Sequence, residues 1–277
     1  MTESQAPPRV WAPPRGVLGE LVAAAERRVE ALRRTDAPGR TADAVATRRS
    51  GTFASALRGP HVAVIAEVKR RSPSKGTIND AIDAAPRATA YADGGAAAIS
   101  VLTEPERFGG SLSDLRAVSA AVDVPVLRKD FIVDALQLHE AVRAGAAAVL
   151  LIARALEPSH AADLAAEAAT LGLDVLFEVR DERELARAVA VAGCVVGVNT
   201  RNLETLAVDP AVGERLLPLV PRDRVAVYES GVASRADVER AAATGADAVL
   251  VGSALSSHTD GAAAVAALAG VARRARA

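Results

Sequence analysis

Of the 33 basic residues in this chain, Lys69, Lys75 and Lys129 alone are lysine; the other thirty are arginine. Surface positions accept either cation, so lysines that survive such a bias mark places where a guanidinium would fail. An ammonium can move its pKa and give up a proton; a guanidinium stays charged in a protein. Lys69 and Lys75 fall together in HVAVIAEVKRRSPSKGTIN, residues 61–79, where an apolar, β-branched run empties into a charged loop bearing Ser and Gly. Lys129 follows a second such run, in VPVLRKDF. A buried strand that ends in a polar loop is how an α/β enzyme presents its chemistry.

Other polar residues fall at comparable places. Glu67 closes the first apolar run and Glu178 a later one, in LFEV. Asn occurs three times, and two of these, Asn199 and Asn202, share the segment GVNTRNL with Arg201. A glutamate at a strand end is as often a salt-bridge partner as a catalyst, and Arg70 and Arg71 read as solvated loop cations. Two carboxylates, two lysines, an arginine and an asparagine converging on one mouth are instead the make-up of a site for acid–base chemistry on an anionic substrate. Ser230-Gly231 and Gly252-Ser253 follow the last two strands, where barrels of this type cradle phosphate. Glycine lets backbone N–H groups approach phosphate oxygens, and a short helix starting near Ser253 would point its positive end at them. Phe108 and Phe131, two of four phenylalanines, follow the second and third strands and could wall a flat apolar pocket. Lys129, beside Phe131 and other cations, is expected to have its pKa lowered by desolvation and like charge. The four histidines, His61, His139, His160 and His258, show neither metal-ligand spacing nor a Ser–His pairing, so no metal is expected.

These residues need a scaffold that brings eight strand ends together. Strand cores are expected at 62–68, 97–102, 124–127, 147–153, 175–178, 195–199, 225–228 and 248–251, with helical patterns such as 135–144, 159–171, 182–191 and 235–244 between them. GAAAISV, GAAAVLL and GADAVLV, starting at Gly95, Gly145 and Gly245, each read as a helix stop followed by a strand. Their spacing fits one and two βα pairs. The reading is an α/β fold, a (β/α)8 TIM barrel with an N-terminal helical extension. An open doubly wound sheet is disfavoured because no G-x-G-x-x-G follows the first strand. Residues 1–15 hold four prolines and read as a flexible lead-in. Residues 16–277 form one barrel domain, with an amphipathic helix over 16–34 and a short helix near 53–57 making up an N-terminal helical part, 16–58.

Composition narrows the class. With 277 residues, half of them hydrophobic, the chain can build one large α/β domain. A net charge of −1 gives no general pull toward nucleic acid or anionic membrane. The lone Cys194 excludes an internal disulfide and reads as a small core hydrophobe. No apolar stretch is long enough to span a membrane and no signal peptide opens the chain, so a cytoplasmic enzyme is expected.

The segments AEVKRRSPSKG, SVLTEPERFGGS, VPVLRKDFIVD, AVLLIA, FEV, GVNTRNL, ESGV and VLVGS resemble, in order and spacing, the indole-3-glycerol phosphate synthase family from about Phe53 to the carboxyl terminus. The resemblance implies a (β/α)8 barrel with a helical segment over its mouth, working in tryptophan biosynthesis without metal or organic cofactor. The implied reaction closes, decarboxylates and dehydrates 1-(2-carboxyphenylamino)-1-deoxyribulose 5-phosphate to indole-3-glycerol phosphate. It casts Lys129 as general acid for ring closure, Glu178 as the carboxylate serving the cationic intermediate and its proton transfers, and Glu67 as its partner across the mouth. Lys69 would hold a substrate anion and act as an acid in dehydration, and Asn199 with Arg201 would orient Glu178 and the substrate. Ser72, Ser230, Gly231, Gly252 and Ser253 correspond to phosphate and substrate contacts, and Phe108, Phe131, Leu150 and Leu203 to the pocket for the anthranilate ring. The implied partner is this small phosphorylated substrate, with no nucleic acid or membrane, and the implied state is a monomer or weak homodimer. Tyr228 departs from the family, which more often has a small polar residue there, leaving open a paralogue acting on a substituted anthranilate in a secondary pathway. Another phosphate-binding barrel, such as a Schiff-base aldolase, and a silent scaffold barrel are the remaining alternatives.

Overall fold

Short apolar runs alternate with amphipathic segments through the sequence, and in the computed structural model each run is a strand paired in parallel with the next. The structure describes residues 11–35 and 51–276. The barrel strands are β1 (Ala63–Val68), β2 (Ala98–Leu102), β3 (Val126–Lys129), β4 (Ala148–Ile152), β5 (Asp174–Val179), β6 (Val195–Asn199), β7 (Ala226–Glu229) and β8 (Ala248–Val251). β8 pairs with β1, so the sheet closes with no free edge. The (β/α)8 expectation is met.

Most strands lie within one residue of their expected spans, and β3 differs most. β3 begins at Val126 because Pro125 cannot donate to the ladder, and it runs on to Lys129, which stands opposite Leu102 of β2. Arg128 and Lys129 are therefore part of the sheet, and alternation sends them to opposite sides. Arg128 is buried against the outer layer, donating to the Gln137 carbonyl at 2.6 Å and to Asp130 at 3.1 Å. Lys129 is left facing the barrel axis, on the cavity wall.

The outer layer contains α3 (Ala84–Asp93), α4 (Leu112–Ala121), α5 (Ala135–Arg143), α6 (Pro158–Thr170), α7 (Glu182–Ala190), α8 (Pro210–Leu216), α9 (Arg235–Ala243) and α11 (Gly261–Ala266), with a four-residue α10 (Ser253–Ser256) after β8. Capping sets several of their starts: Asp134 and Ser234 form capping boxes, and Ser111, Asp181 and Asp260 each accept a backbone N–H in the first turn. Gly95, Gly145 and Gly245 have φ of 94°, 83° and 86° where the chain leaves α3, α5 and α9.

Two further helices close the barrel's ends. α1 (Gly16–Thr35) lies across the carboxyl ends of the strands: Arg28 reaches Asp130 at 2.8 Å and Glu104 at 3.5 Å, and Val17 and Leu21 face the mouth. α2 (Thr52–Ala56) lies at the opposite end, where Asp174 at the start of β5 accepts the N–H groups of Gly51 and Ala54 and Phe53 is fully buried. Of the lead-in expected over residues 1–15, positions 1–10 lie outside the described residues. The carbonyl of Ala12 and the N–H of Arg15 are bound by Arg154 and Glu204.

Candidate active site

Alternation along each strand turns one residue per strand end toward the barrel axis. Glu67, Leu102, Lys129, Ile152, Glu178, Asn199, Glu229 and Gly252 form this ring, the floor of a cavity of about 370 Å³. Every residue singled out above as catalytic or substrate-binding lies on the wall of this cavity.

The floor is an array of buried charges. Lys69 Nζ stands 2.7 Å from Glu67 Oε1. Lys129 Nζ lies between two further carboxylates, 3.7 Å from Glu178 Oε2 and 3.5 Å from Glu229 Oε2. All three glutamates are buried. Burial pushes the Glu67 carboxyl up, but Lys69 and Lys129 outweigh it and hold it below the ordinary range. Glu229 goes the other way. Burial, reinforced by Glu178 and Glu67, overcomes the attraction of Lys129 and pushes its pKa up to about 8.

The expected lowering of the Lys129 pKa is overturned. Burial does act to lower it, yet Glu229, Glu178 and Glu67 together raise it above the normal lysine value. The sequence reading placed cations around Lys129; the structure surrounds it with carboxylates. Lys129 is a held ammonium, and its acidity depends on how many of those carboxylates carry a proton.

Glycine makes this crowding possible. A Cβ on Gly252 would meet Glu67 Oε1 at 2.2 Å and Lys69 Nζ at 2.7 Å, and one on Gly197 would meet Glu229 Oε1 at 2.1 Å. On the anion side, Ser230 and Gly231 both have positive φ, 71° and 76°. For a serine that is a strained conformation. It is fixed by the Ser230 hydroxyl, which donates to Asn199 Oδ1 at 2.8 Å, and by Thr200 Oγ1, which donates to the Ser230 carbonyl at 3.3 Å. Asn199 Oδ1 also accepts the N–H of Arg201 at 2.9 Å, while the Arg201 guanidinium donates to the Leu206 carbonyl. Across the opening, the ribbon formed by Arg71–Ser72 and Gly76–Thr77 carries Ser72, whose hydroxyl accepts the Lys75 N–H at 3.2 Å. The opposite wall is apolar. The rings of Phe108 and Phe131 stand 6.2 Å apart at 39°, alongside Leu102, Leu150, Leu203, Val17 and Leu21.

One sequence reading is corrected here. Arg70 is not a solvated cation: it is half-buried, bidentate to Asp114 at 2.7 and 2.9 Å, and donates to the carbonyls of Ile82 and Gly109, pinning the loop after β1 to the loop after β2. Arg71 is exposed, as expected of a solvated loop cation, and pairs with Asp80. Tyr228 points away from the cavity, its ring packed against Gly213 of α8, so this departure from the family does not touch the site. Sequence reasoning saw Glu229 at the end of the seventh strand and gave it no role. It stood beside Ser230 in ESGV, and the alternation that turns Val227 inward and Tyr228 outward would have marked it. Cys194 is buried, as expected of a core hydrophobe. Among the described residues no cluster of three or more His, Cys, Asp or Glu is arranged to hold a metal ion.

Comparison with known proteins sorts among barrels of this architecture. The family model described as indole-3-glycerol phosphate synthase matches residues 18–268. The chain belongs to the indole-3-glycerol phosphate synthase family. A curated synthase from Nocardioides sp. is 57% identical over 215 residues, covering 78% of this chain and 83% of its own. The synthase from Micrococcus luteus is 47% identical over 248 residues, covering 87% and 92%. Among solved structures, 3-hexulose-6-phosphate synthase from Salmonella typhimurium superposes with a TM-score of 0.59 at 20% identity, covering 75% of this chain and 96% of its own. A tryptophan synthase chain from M. tuberculosis gives 0.57 at 21%, covering 80% and 98%. At that identity these two share the fold with the synthase family and carry no more.

Proposed function

We infer that the chain is an indole-3-glycerol phosphate synthase, a carboxy-lyase of tryptophan biosynthesis acting on 1-(2-carboxyphenylamino)-1-deoxyribulose 5-phosphate. The observation that carries this reading is Lys129 held among three buried glutamates on the floor of a cavity with an apolar wall on one side and Ser/Gly strand ends on the other. The apolar wall suits the anthranilate ring, and the loops at Ser230-Gly231 and Gly252-Ser253, with Ser72 opposite, suit the phosphate. Anchored at both ends, the ring carbon and the ketose carbonyl are held in reach of each other, an orientation effect.

Lys129 gives its proton to the carbonyl oxygen as the ring carbon bearing the carboxylate attacks the carbonyl carbon. The bond to the carboxylate then breaks, carbon dioxide departs, and its bonding electrons restore the aromatic ring. The new hydroxyl leaves as water with a second proton, given by Lys69, while Glu178 takes a proton from the neighbouring methylene carbon. Glu67 holds Lys69 in place, Asn199 and Arg201 hold the loop after β6, and Glu229 sets the charge around Lys129. A monomer or weak homodimer belongs to the same reading. Among the described residues no helix is long and apolar enough to cross a membrane. A cytoplasmic site of action belongs to the same reading, in keeping with a single, unpaired cysteine. Incubating the protein with the carboxyphenylamino ribulose phosphate tests it: indole fluorescence should appear with release of one carbon dioxide per product, and the absence of both would overturn it.

A further inference from the structure

The reaction has a proton requirement of its own. The substrate enters with an ionised ring carboxylate and leaves as neutral carbon dioxide, water and a product carrying only the phosphate charge. Two protons are given, to the carbonyl oxygen and to the departing hydroxyl, and one is taken from carbon. Each turnover therefore draws one proton from bulk water into a floor whose groups are nearly sealed: the Lys129 side chain is 16% exposed and that of Glu178 4%.

Behind Glu178 lies a second cavity, of about 200 Å³, between the loops that follow β4, β5 and β6. It shares Glu178 with the main cavity and ends on Glu184 of α7, a buried carboxyl with no part in the steps above. The volume holds several water molecules. Glu178 Oε2 is buried without a protein hydrogen-bond partner and stands 3.7 Å from Lys129 Nζ. Glu184 keeps Oε2 on the N–H of Arg180 at 2.7 Å.

We propose that this side cavity is the proton inlet of the active site, with the Glu184 carboxyl relaying a bulk proton through cavity water to Glu178 and from there to Lys129. The inference rests on the synthase reading. In each relay step an O–H or N–H bond forms as another breaks, with no electrons exchanged: the proton that Glu178 takes from carbon goes back to Lys69 through cavity water, and the one drawn from bulk restores Lys129. The charged groups facing Glu184 are Arg187 on its own helix, Asp181 at that helix's N-cap, Arg180 on the preceding loop and Glu178 on β5; Arg154, Arg201 and Glu204 complete the cavity's charged lining. Burial first, then Asp181 and Glu178, outweigh Arg180 and Arg187 and push Glu184 up to about 7, the range in which a carboxyl both holds and passes a proton at neutral pH.

The test compares the first turnover with later ones in Glu184→Gln, which keeps an acceptor for the Arg180 N–H and removes the titrating proton. An enzyme loaded with its protons at the start should complete one turnover per site at the native rate. It should then slow roughly tenfold or more, and rising imidazole concentration at fixed pH should restore the rate. The native decline in kcat as pH rises through about 7 should be lost in this variant and kept in Glu184→Asp. KM should stay near the native value, and the thermal midpoint guards against misfolding. A steady-state rate and pH profile like the native enzyme's, or a slowed first turnover that imidazole does not lift, would overturn the relay. Failure of the native enzyme to form any product would overturn the synthase reading instead.

Discussion

A Cβ on Gly197 of β6 would lie 2.1 Å from Glu229 Oε1 of β7 and 3.1 Å from Leu176 Cδ1 of β5. The glycine is the space into which the third carboxylate of the floor fits. Gly197→Ala should therefore fold, lose about 1–3 kcal/mol of stability through overpacking and displace the Glu229 carboxylate from Lys129. Denaturant unfolding of Gly197→Ala in the native and Glu229→Ala backgrounds forms a cycle. The alanine should cost clearly less once Glu229 is truncated; equal costs would place the crowding elsewhere.

Gly252 plays the same part for the other pair. Alanine there would press on Glu67 Oε1 and Lys69 Nζ, which stand 2.7 Å apart. Gly252→Ala should lower kcat by roughly 10²-fold, the scale on which a misplaced acid–base group acts. Steady-state kinetics check this, and an unchanged kcat would mean that the pair tolerates separation.

The raised pKa of Glu229 fixes the sign of a pH effect. Its carboxyl binds a proton more tightly in the folded chain, so its contribution to stability is fully present below about 4.5 and is lost as pH rises through about 8. Glu229→Gln should flatten the fall of the thermal midpoint across that window, and the variant should gain on the native protein toward its alkaline end. Parallel midpoint-versus-pH curves for the two proteins would contradict the assignment.

α1 should set how well the substrate is enclosed. Its Arg28 reaches Asp130 beside Lys129 as well as Glu104, and its Val17 and Leu21 complete the apolar wall. Arg28→Ala should raise KM roughly tenfold, the equivalent of one charge-assisted hydrogen bond, with a smaller change in kcat. A fall in kcat at constant KM would instead tie the helix to the chemical steps.

Much of this was legible in the chain itself, because buried parallel strands read as short apolar runs and helix stops as glycines. Val195–Asn199 and Ala248–Val251 lie where the pattern put them. β3 ran two residues later because the polar pair Arg128-Lys129 does not look like strand; parallel pairing with β2 overrides that composition. The site was legible as a list of residue types at strand ends. Its electrostatics were not, because the pKa of Lys129 is decided by Glu67, Glu178 and Glu229 on three other strands, and sequence neighbours such as Arg128 point the other way. Arg70 was misjudged for the same reason, its partner Asp114 being supplied by the first turn of α4.

The central claim is that the Lys129 ammonium, set among three glutamates, donates the proton that drives ring closure. Lys129→Arg keeps the charge and removes the transferable proton. Single-turnover formation of indole fluorescence in this variant, beside binding of inorganic phosphate to the same preparation, tests the claim most directly. The account predicts phosphate affinity within about twofold of native and a rate lower by roughly 10² to 10⁴. A near-native rate would contradict it and remove Lys129 from the acid role.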